Sequence, residues 1–216
     1  MVSELRPAHF SNPGRYRPIS ADRLGSRMAE NMMNALLYEK MASILDYPTP
    51  FLYERLQRCL DLFVHSHDGA VNLLRQFKSF LEQGPISQMK EIYTRTFDLQ
   101  CSCFPCVGYH LFGANHRREM FMANLIERYR LINFSAENEF PDHLGVMLRF
   151  LAREDEEEGR RELIEECIIP SLEKMIGGFG DGENPYKFVM EALLGVMRGE
   201  ERENRDLHIS ECKLVD

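Results

Sequence analysis

Hydrophobic residues recur at steps of three and four positions along most of the chain, which is the spacing of one face of an α-helix. Such stripes lie within residues 33–45, 52–63, 71–81, 86–97, 120–129, 144–151, 163–172 and 188–197. No segment alternates with a period of two between turn signals, so we expect no β-sheet. The pattern therefore predicts an all-α fold, a single-domain helical bundle of about eight helices.

Proline and glycine indicate where several of these helices begin, bend or end. Tyr47-Pro48-Thr49-Pro50 ends the first helix and Gly84-Pro85 the third, since proline has no N–H to donate to the helix. Pro141 fits the first turn of a helix, where that missing donor costs nothing, and Pro170 predicts a kink within another. Gly177–Asn184 is typical of a flexible turn.

The two ends of the chain differ from its middle. Residues 1–25 contain several prolines and few apolar residues, which predicts an extended N-terminal arm. Residues 26–198 form the predicted helical domain, and the mostly charged residues 199–216 are expected to be a loose C-terminal tail. The acidic run Glu154–Glu158 is best interpreted as a solvated helix start, where negative charge suits the helix dipole. A docking site for a basic peptide is the alternative.

Charge and hydropathy narrow the class of protein. The 216 residues carry 34 acidic and 26 basic side chains, a net charge of −8, which argues against binding to nucleic acid or to an anionic membrane surface. No apolar run resembles a signal peptide, and none approaches the ~18 residues of a transmembrane helix. We therefore expect a soluble cytoplasmic protein whose six cysteines are reduced thiols.

The only dense cysteine cluster lies in an uncharged stretch, Leu99–His116. Cys101, Cys103 and Cys106, with His110 four residues later, are residue types that bind zinc or an iron–sulfur cluster. A structural zinc site commonly joins two spaced pairs of ligands, and this chain offers one cluster with no second pair. Small thiols buried in a tight loop are the preferred interpretation, and we expect no bound cofactor.

The segment Glu137–Leu144 is the other candidate for chemistry. Helix capping accounts for Asp142 but not for His143 beside it. An Asp–His pair can move protons, yet the chain shows no nucleophile elbow, phosphate loop or HExxH motif to accompany it. We therefore expect recognition of a partner's backbone or charged residues, and no enzymatic activity.

Several segments together resemble the signature of NarJ/TorD-type maturation chaperones, the nitrate reductase delta-subunit family. The segments are Leu45-Asp46-Tyr47-Pro48, Tyr93-Thr94-Arg95-Thr96-Phe97-Asp98, Gly108-Tyr109-His110-Leu111-Phe112-Gly113, Arg117-Arg118, Glu139-Phe140-Pro141-Asp142-His143-Leu144 and Leu148-Arg149-Phe150-Leu151. The resemblance spans about residues 30–195. Phe140 stands where the family usually has leucine, and the cysteine-rich stretch exceeds the common pattern.

The resemblance implies an all-helical cytoplasmic chaperone that binds the catalytic subunit of a molybdenum-containing, nitrate reductase-like oxidoreductase. Such chaperones often bind the N-terminal segment of that subunit, assist insertion of the molybdenum cofactor and iron–sulfur clusters, and do not remain in the finished enzyme. A groove between helices can hold such a segment, and an acidic rim would attract its basic residues. A monomer and a domain-swapped dimer are both compatible with this role.

The signature blocks also imply a set of partner-binding residues. One side of the peptide site would consist of Tyr93, Phe97, Asp98, His110, Leu111 and Phe112, and the other of Glu139, Pro141, Asp142, His143 and Leu144. We expect the double substitution Asp142→Ala with His143→Ala to weaken binding of the catalytic subunit without unfolding the chaperone. The alternative function is a metal- or redox-sensing regulator that uses Cys101, Cys103 and Cys106.

Overall fold

The computed structural model describes residues 21–63, 68–99, 103–180 and 183–212. Their helices are α1 (Ala21–Ile44), α2 (Leu52–Leu60), α3 (Asp68–Glu82), α4 (Ile86–Tyr93), α5 (Val107–Phe112), α6 (His116–Leu131), α7 (Leu144–Leu151), α8 (Glu157–Glu162), α9 (Ile169–Gly178) and α10 (Tyr186–Cys212). No strand occurs in these four ranges, which confirms the predicted all-α fold. No helix within them is both long and apolar enough to cross a membrane.

Helix α7 lies at the centre of the bundle. Seven of its eight residues are buried, as expected for a helix that is apolar except for Arg149. It packs along α1, while α10 packs against α3 and α9, and the short α5 lies against α6 and α9. The buried residues of α7 thus belong to the hydrophobic core, and the turn that enters α7 leads directly into that core.

Two π-helical segments interrupt the regular helices. Thr94–Asp98 extends α4, and Leu163–Ile168 joins α8 to α9 without a break, so the described ranges contain nine separate helical rods. Pro170 follows the second segment. Because proline lacks an N–H and its ring crowds the preceding turn, a widened turn before Pro170 relieves the conflict. The structure thus shows a π-helical segment immediately before Pro170, and the kink expected there stays a prediction.

The structure corrects three expectations about helix extent. Helix α5 forms inside the stretch predicted to be a loop, where six residues are too few to show periodicity. Helix α10 continues to Cys212, past residue 199 where a loose tail was expected, because no proline follows and glutamate and arginine favour helix. Residues 21–25 of the predicted arm belong to α1, and residues 1–20 and 213–216 lie outside the described ranges.

Candidate functional site

The two signature blocks meet at the turn Glu139–Leu144, which leads into α7. The backbone N–H of Val107 donates to the carbonyl of Asp142 at 2.8 Å, and that of Leu144 donates to the carbonyl of Pro105 at 2.7 Å. These two bonds form a single antiparallel β-bridge between the start of α5 and the turn. The cysteine-containing segment and the acidic segment are therefore joined backbone to backbone.

The Asp142 side chain is fully buried and forms an ion pair. Its carboxylate accepts hydrogen bonds from Arg118 Nε at 2.7 Å and Nη2 at 3.1 Å, and the Cys106 thiol also hydrogen-bonds to it. Asp142 is predicted from the sequence to contact the partner directly, and its burial contradicts that expectation. Asp142 instead holds the turn in place through Arg118. Because its loss would leave the Arg118 charge without its partner, we now expect its removal to destabilise the fold.

Gly108 allows α5 to approach this ion pair. A Cβ atom at Gly108 would lie 2.8 Å from Asp142 Oδ2, 2.9 Å from Phe121 Cδ1 and 3.2 Å from Arg118 Cγ. Distances below 3.0 Å require the neighbouring groups to move, so glycine is needed here for space. Gly108 and Arg118 both lie in the signature segments, but the sequence alone did not predict a role for either.

His143 is the N-cap of α7. Its Nδ1 accepts the backbone N–H of Gly145 at 3.2 Å, which requires a neutral ring with the proton on Nε2. Burial lowers the pKa of His143, against the opposing effect of the Glu139 and Asp46 carboxylates. The expectation that Asp142 caps this helix and that Pro141 lies in its first turn is therefore wrong, because the helix begins at Leu144.

Three predicted contact residues lie in the core. Tyr93, Phe97 and Leu144 are 8%, 1% and 1% exposed. The Tyr93 and Phe97 rings pack edge-on against each other and against Tyr186, with centroid distances of 5.0–5.7 Å. The Tyr93 hydroxyl donates to the carbonyl of Leu45 at 3.1 Å. These side chains stabilise the bundle beneath the surface, and a partner cannot reach them in this conformation.

The α5 residues of the predicted set, His110, Leu111 and Phe112, are half-buried. His110 Nε2–H donates to the carbonyl of Phe104 at 2.7 Å, and burial lowers the pKa of His110. The Phe112 ring packs on that of Phe121, with a centroid distance of 5.7 Å. These side chains are therefore occupied in holding α5 to its neighbours, and their partner-binding role stays a prediction.

An open cleft of about 510 Å³ lies on the other side of the same turn. We call it the acidic cleft, and its lining residues are Glu39, Asp46, Phe134, Ser135, Ala136, Glu137, Asn138, Glu139, Val146, Arg149 and Arg153. It brings together the end of α1, the loop before the turn and one face of α7. Four carboxylates face two guanidinium groups there, so the cleft is net negative.

The carboxylates of the acidic cleft differ in whether they form ion pairs. Arg149 Nη2 lies 2.7 Å from both oxygens of Asp46, and Arg149 Nε lies 3.9 Å from Glu39 Oε1. Glu137 and Glu139 are exposed, and no side chain of the described residues forms an ion pair with either. Of the predicted set, Glu139 alone lines this cleft. Asp46 and Arg149 are absent from the predicted set, although both lie in signature segments.

The cysteine cluster does not assemble as a set of metal ligands in the described residues. Cys103 and Cys106 are buried, and burial together with the Asp142 carboxylate raises the pKa of the Cys106 thiol. A thiol held in its protonated form is a poor ligand and a poor nucleophile. The ranges that the structure describes contain no group of three or more side chains able to hold a metal ion, and Cys101 lies outside them.

The described residues thus form a helical bundle with an acidic cleft beside the signature turn. A sequence model of the family described as "Nitrate reductase delta subunit" matches residues 66–176, which are 111 of the 216 residues. The chain therefore belongs to this family. No curated protein matches the sequence significantly. The match includes the turn before α7 and the loop wall of the acidic cleft, while Glu39 and Asp46 on α1 and just after it precede the match.

Proposed function

We propose that this protein is a maturation chaperone that binds the catalytic subunit of a nitrate reductase-like molybdoenzyme in the cytoplasm and assists its cofactor insertion and assembly. Membership of the nitrate reductase delta-subunit family supports a role in molybdoenzyme maturation in general. The observation that carries the finer proposal is the acidic cleft, because its loop wall runs directly into the signature turn Glu139–Leu144.

The size of the acidic cleft indicates what it can hold. A volume of about 510 Å³ lies within the range of ~300–1,000 Å³ that is common for ligand sites. It accommodates a few side chains of a peptide and is far too small for a folded subunit. We therefore propose that the cleft takes a segment of the catalytic subunit, namely its N-terminal segment, before that subunit has finished folding.

The charge of the acidic cleft indicates the chemistry of that segment. Glu137 and Glu139 are exposed carboxylates at the mouth, and Glu137 is held with a positive φ of 55°. Carboxylates without a resident cation attract lysine or arginine and speed the encounter. A segment with basic residues fits this surface better than an acidic one. The chaperone itself needs no cofactor in this role and acts as a monomer or a domain-swapped dimer.

Retention of the catalytic subunit tests the proposal. The tagged chaperone is co-expressed with a nitrate reductase-like molybdoenzyme catalytic subunit from the same genome, and retained subunit is quantified at low and high salt. We expect Glu137→Gln with Glu139→Gln to weaken binding by roughly three- to tenfold at low salt, and by less at high salt, because exposed charges are screened.

A matched control removes the same number of charges elsewhere. Glu127 on α6 and Glu158 on α8 are exposed and do not line the cleft, so Glu127→Gln with Glu158→Gln is expected to bind as the wild type does. Failure of the wild-type chaperone to retain the subunit at low salt would refute the proposed function. Equal weakening by both double variants would show that net charge, and not the acidic cleft, is responsible.

A further inference from the structure

The Asp46 carboxylate already holds a guanidinium group. Arg149 Nη2 lies 2.7 Å from both of its oxygens, and the two side chains are 27% and 37% exposed. Both residues line the acidic cleft. The contact joins α7 to Asp46, just beyond the end of α1, and is partly exposed to solvent, so another guanidinium can reach the same carboxylate without any opening of the core.

The surroundings of Arg149 provide it with a second acceptor. Glu39 Oε1 lies 3.9 Å from Arg149 Nε, and the carbonyl of Gly145 accepts from Nη1 at 3.4 Å. A small rotation of the Arg149 side chain towards Glu39 keeps its charge paired after Asp46 is lost. Arg55 also faces Asp46, at 3.5 Å. Exchange of one guanidinium for another at Asp46 therefore leaves no buried charge unpaired.

We propose that Arg149 competes with the bound segment of the catalytic subunit for Asp46. In the free protein Arg149 pairs with the Asp46 carboxylate, and an arginine of the bound segment displaces it. This inference rests on the proposed function, since it assumes that the cleft takes a basic segment. Because one guanidinium group replaces another at Asp46, the site selects arginine over lysine. A lysine ammonium is a compact point charge that cannot reproduce the planar, multiply donating contact.

Two probe peptides and four variants, built from three substitutions, test this competition. The probes are dodecapeptides of identical sequence, blocked at both ends, which carry either two arginines or two lysines, and their affinity is measured by fluorescence anisotropy. We expect Arg149→Gln to bind the arginine peptide about three- to tenfold more tightly than the wild type. Adding Asp46→Asn to that variant should remove the gain. The lysine peptide should gain less.

Arg153→Gln is the matched control, because Arg153 lines the same cleft but lies over the Phe134 ring, with its guanidinium carbon 5.2 Å from the ring centroid. Arg153→Gln removes one positive charge, as Arg149→Gln does, but leaves the Asp46–Arg149 pair intact. Its effect on affinity should therefore be equal for the arginine and lysine peptides, and should persist when Asp46→Asn is added. An equal, arginine-selective gain in Arg153→Gln would overturn the inference. So would unchanged or weaker binding by a folded Arg149→Gln variant.

The wild-type protein offers a second measurement that does not depend on how the variants fold. The Nε–H resonance of Arg149 is followed by NMR during titration with the arginine peptide and should shift in step with binding. A stationary Arg149 signal at saturation would refute displacement. If the wild-type chaperone retains the catalytic subunit but Arg149→Gln does not change the affinity for the arginine peptide, this inference alone is refuted. If the wild-type chaperone does not retain the catalytic subunit, the proposed function is refuted.

Discussion

Replacement of Asp142 with asparagine puts a neutral amide opposite Arg118 in the interior. The asparagine keeps the shape of the side chain and the backbone bond from Val107, so the change is confined to the carboxylate, its bonds to Arg118 at 2.7 and 3.1 Å and its hydrogen bond with the Cys106 thiol. Removing one partner of a buried pair costs about 3–5 kcal/mol. Because the Arg118 side chain keeps 13% exposure, water recovers part of that loss, and we expect a destabilisation of about 2–3 kcal/mol.

Urea denaturation followed by circular dichroism measures this loss. With a slope of about 2–3 kcal/mol per molar urea for a chain of this size, the midpoint should fall by about 1 M at an unchanged slope. Arg118→Gln and the double variant complete a thermodynamic cycle, in which the double variant should cost clearly less than the sum of the two. Glu119→Gln is the control, because Glu119 pairs with His116 on the surface, and it should leave the midpoint in place. A midpoint shift below about 0.2 M for Asp142→Asn, or strict additivity in the cycle, would refute the assignment of this pair as the support of the turn.

Two further predictions concern the same turn. Gly108→Ala should destabilise the protein by about 1–3 kcal/mol, since its Cβ would lie 2.8 Å from Asp142 Oδ2; thermal unfolding measures this. The pKa of His143 is about 6.5 in the unfolded chain and lower in the folded protein. As the pH is lowered from the first value towards the second, the free energy of unfolding should fall. Burial is the cause of that lowered pKa, and in this window the unfolded chain binds more protons than the folded one. Protonation of His143 would also remove its acceptor for Gly145 N–H.

Each of these predictions has a matched control. Gly195 lies in α10 with no atom within 4 Å of a Cβ placed on it, so Gly195→Ala should be neutral or slightly stabilising. An equal loss in both glycine variants would contradict the argument from close approach. His143→Asn keeps a capping acceptor without a titrating ring, and it should flatten the slope of stability against pH below 6.5. An unchanged slope would assign the titration to other groups, with His110 the first to examine.

Local patterns predicted the fold well where helices are long and regularly striped. The spacing of apolar residues predicted eight of the helical rods and the absence of strands, because burying one face of a helix requires that spacing. The same patterns failed for α5, which is too short for periodicity, and for the end of α10, where a charged stretch was expected to be loose and is helical. Charge alone does not prevent a helix whose residues favour it.

The site was harder to predict because its key contacts join residues far apart in the chain. Asp46 and Arg149 are 103 positions apart, and Asp142 and Arg118 are 24 positions apart, so neither pair follows from local spacing. The signature segments meet at the turn beside the acidic cleft. They did not reveal that Asp142 faces the interior while Glu139, three residues earlier, lines the acidic cleft.

By itself, then, the sequence determined the helical class, most helix positions and the family resemblance, since these depend on local periodicity and on residue order. The tertiary structure alone decided which face of each signature segment is open to a partner. The physical reason is that a carboxylate looks the same in the sequence whether it lies in the interior or at the surface. Only the packing of α5, α6 and α7 determines whether it contacts a buried arginine or the solvent.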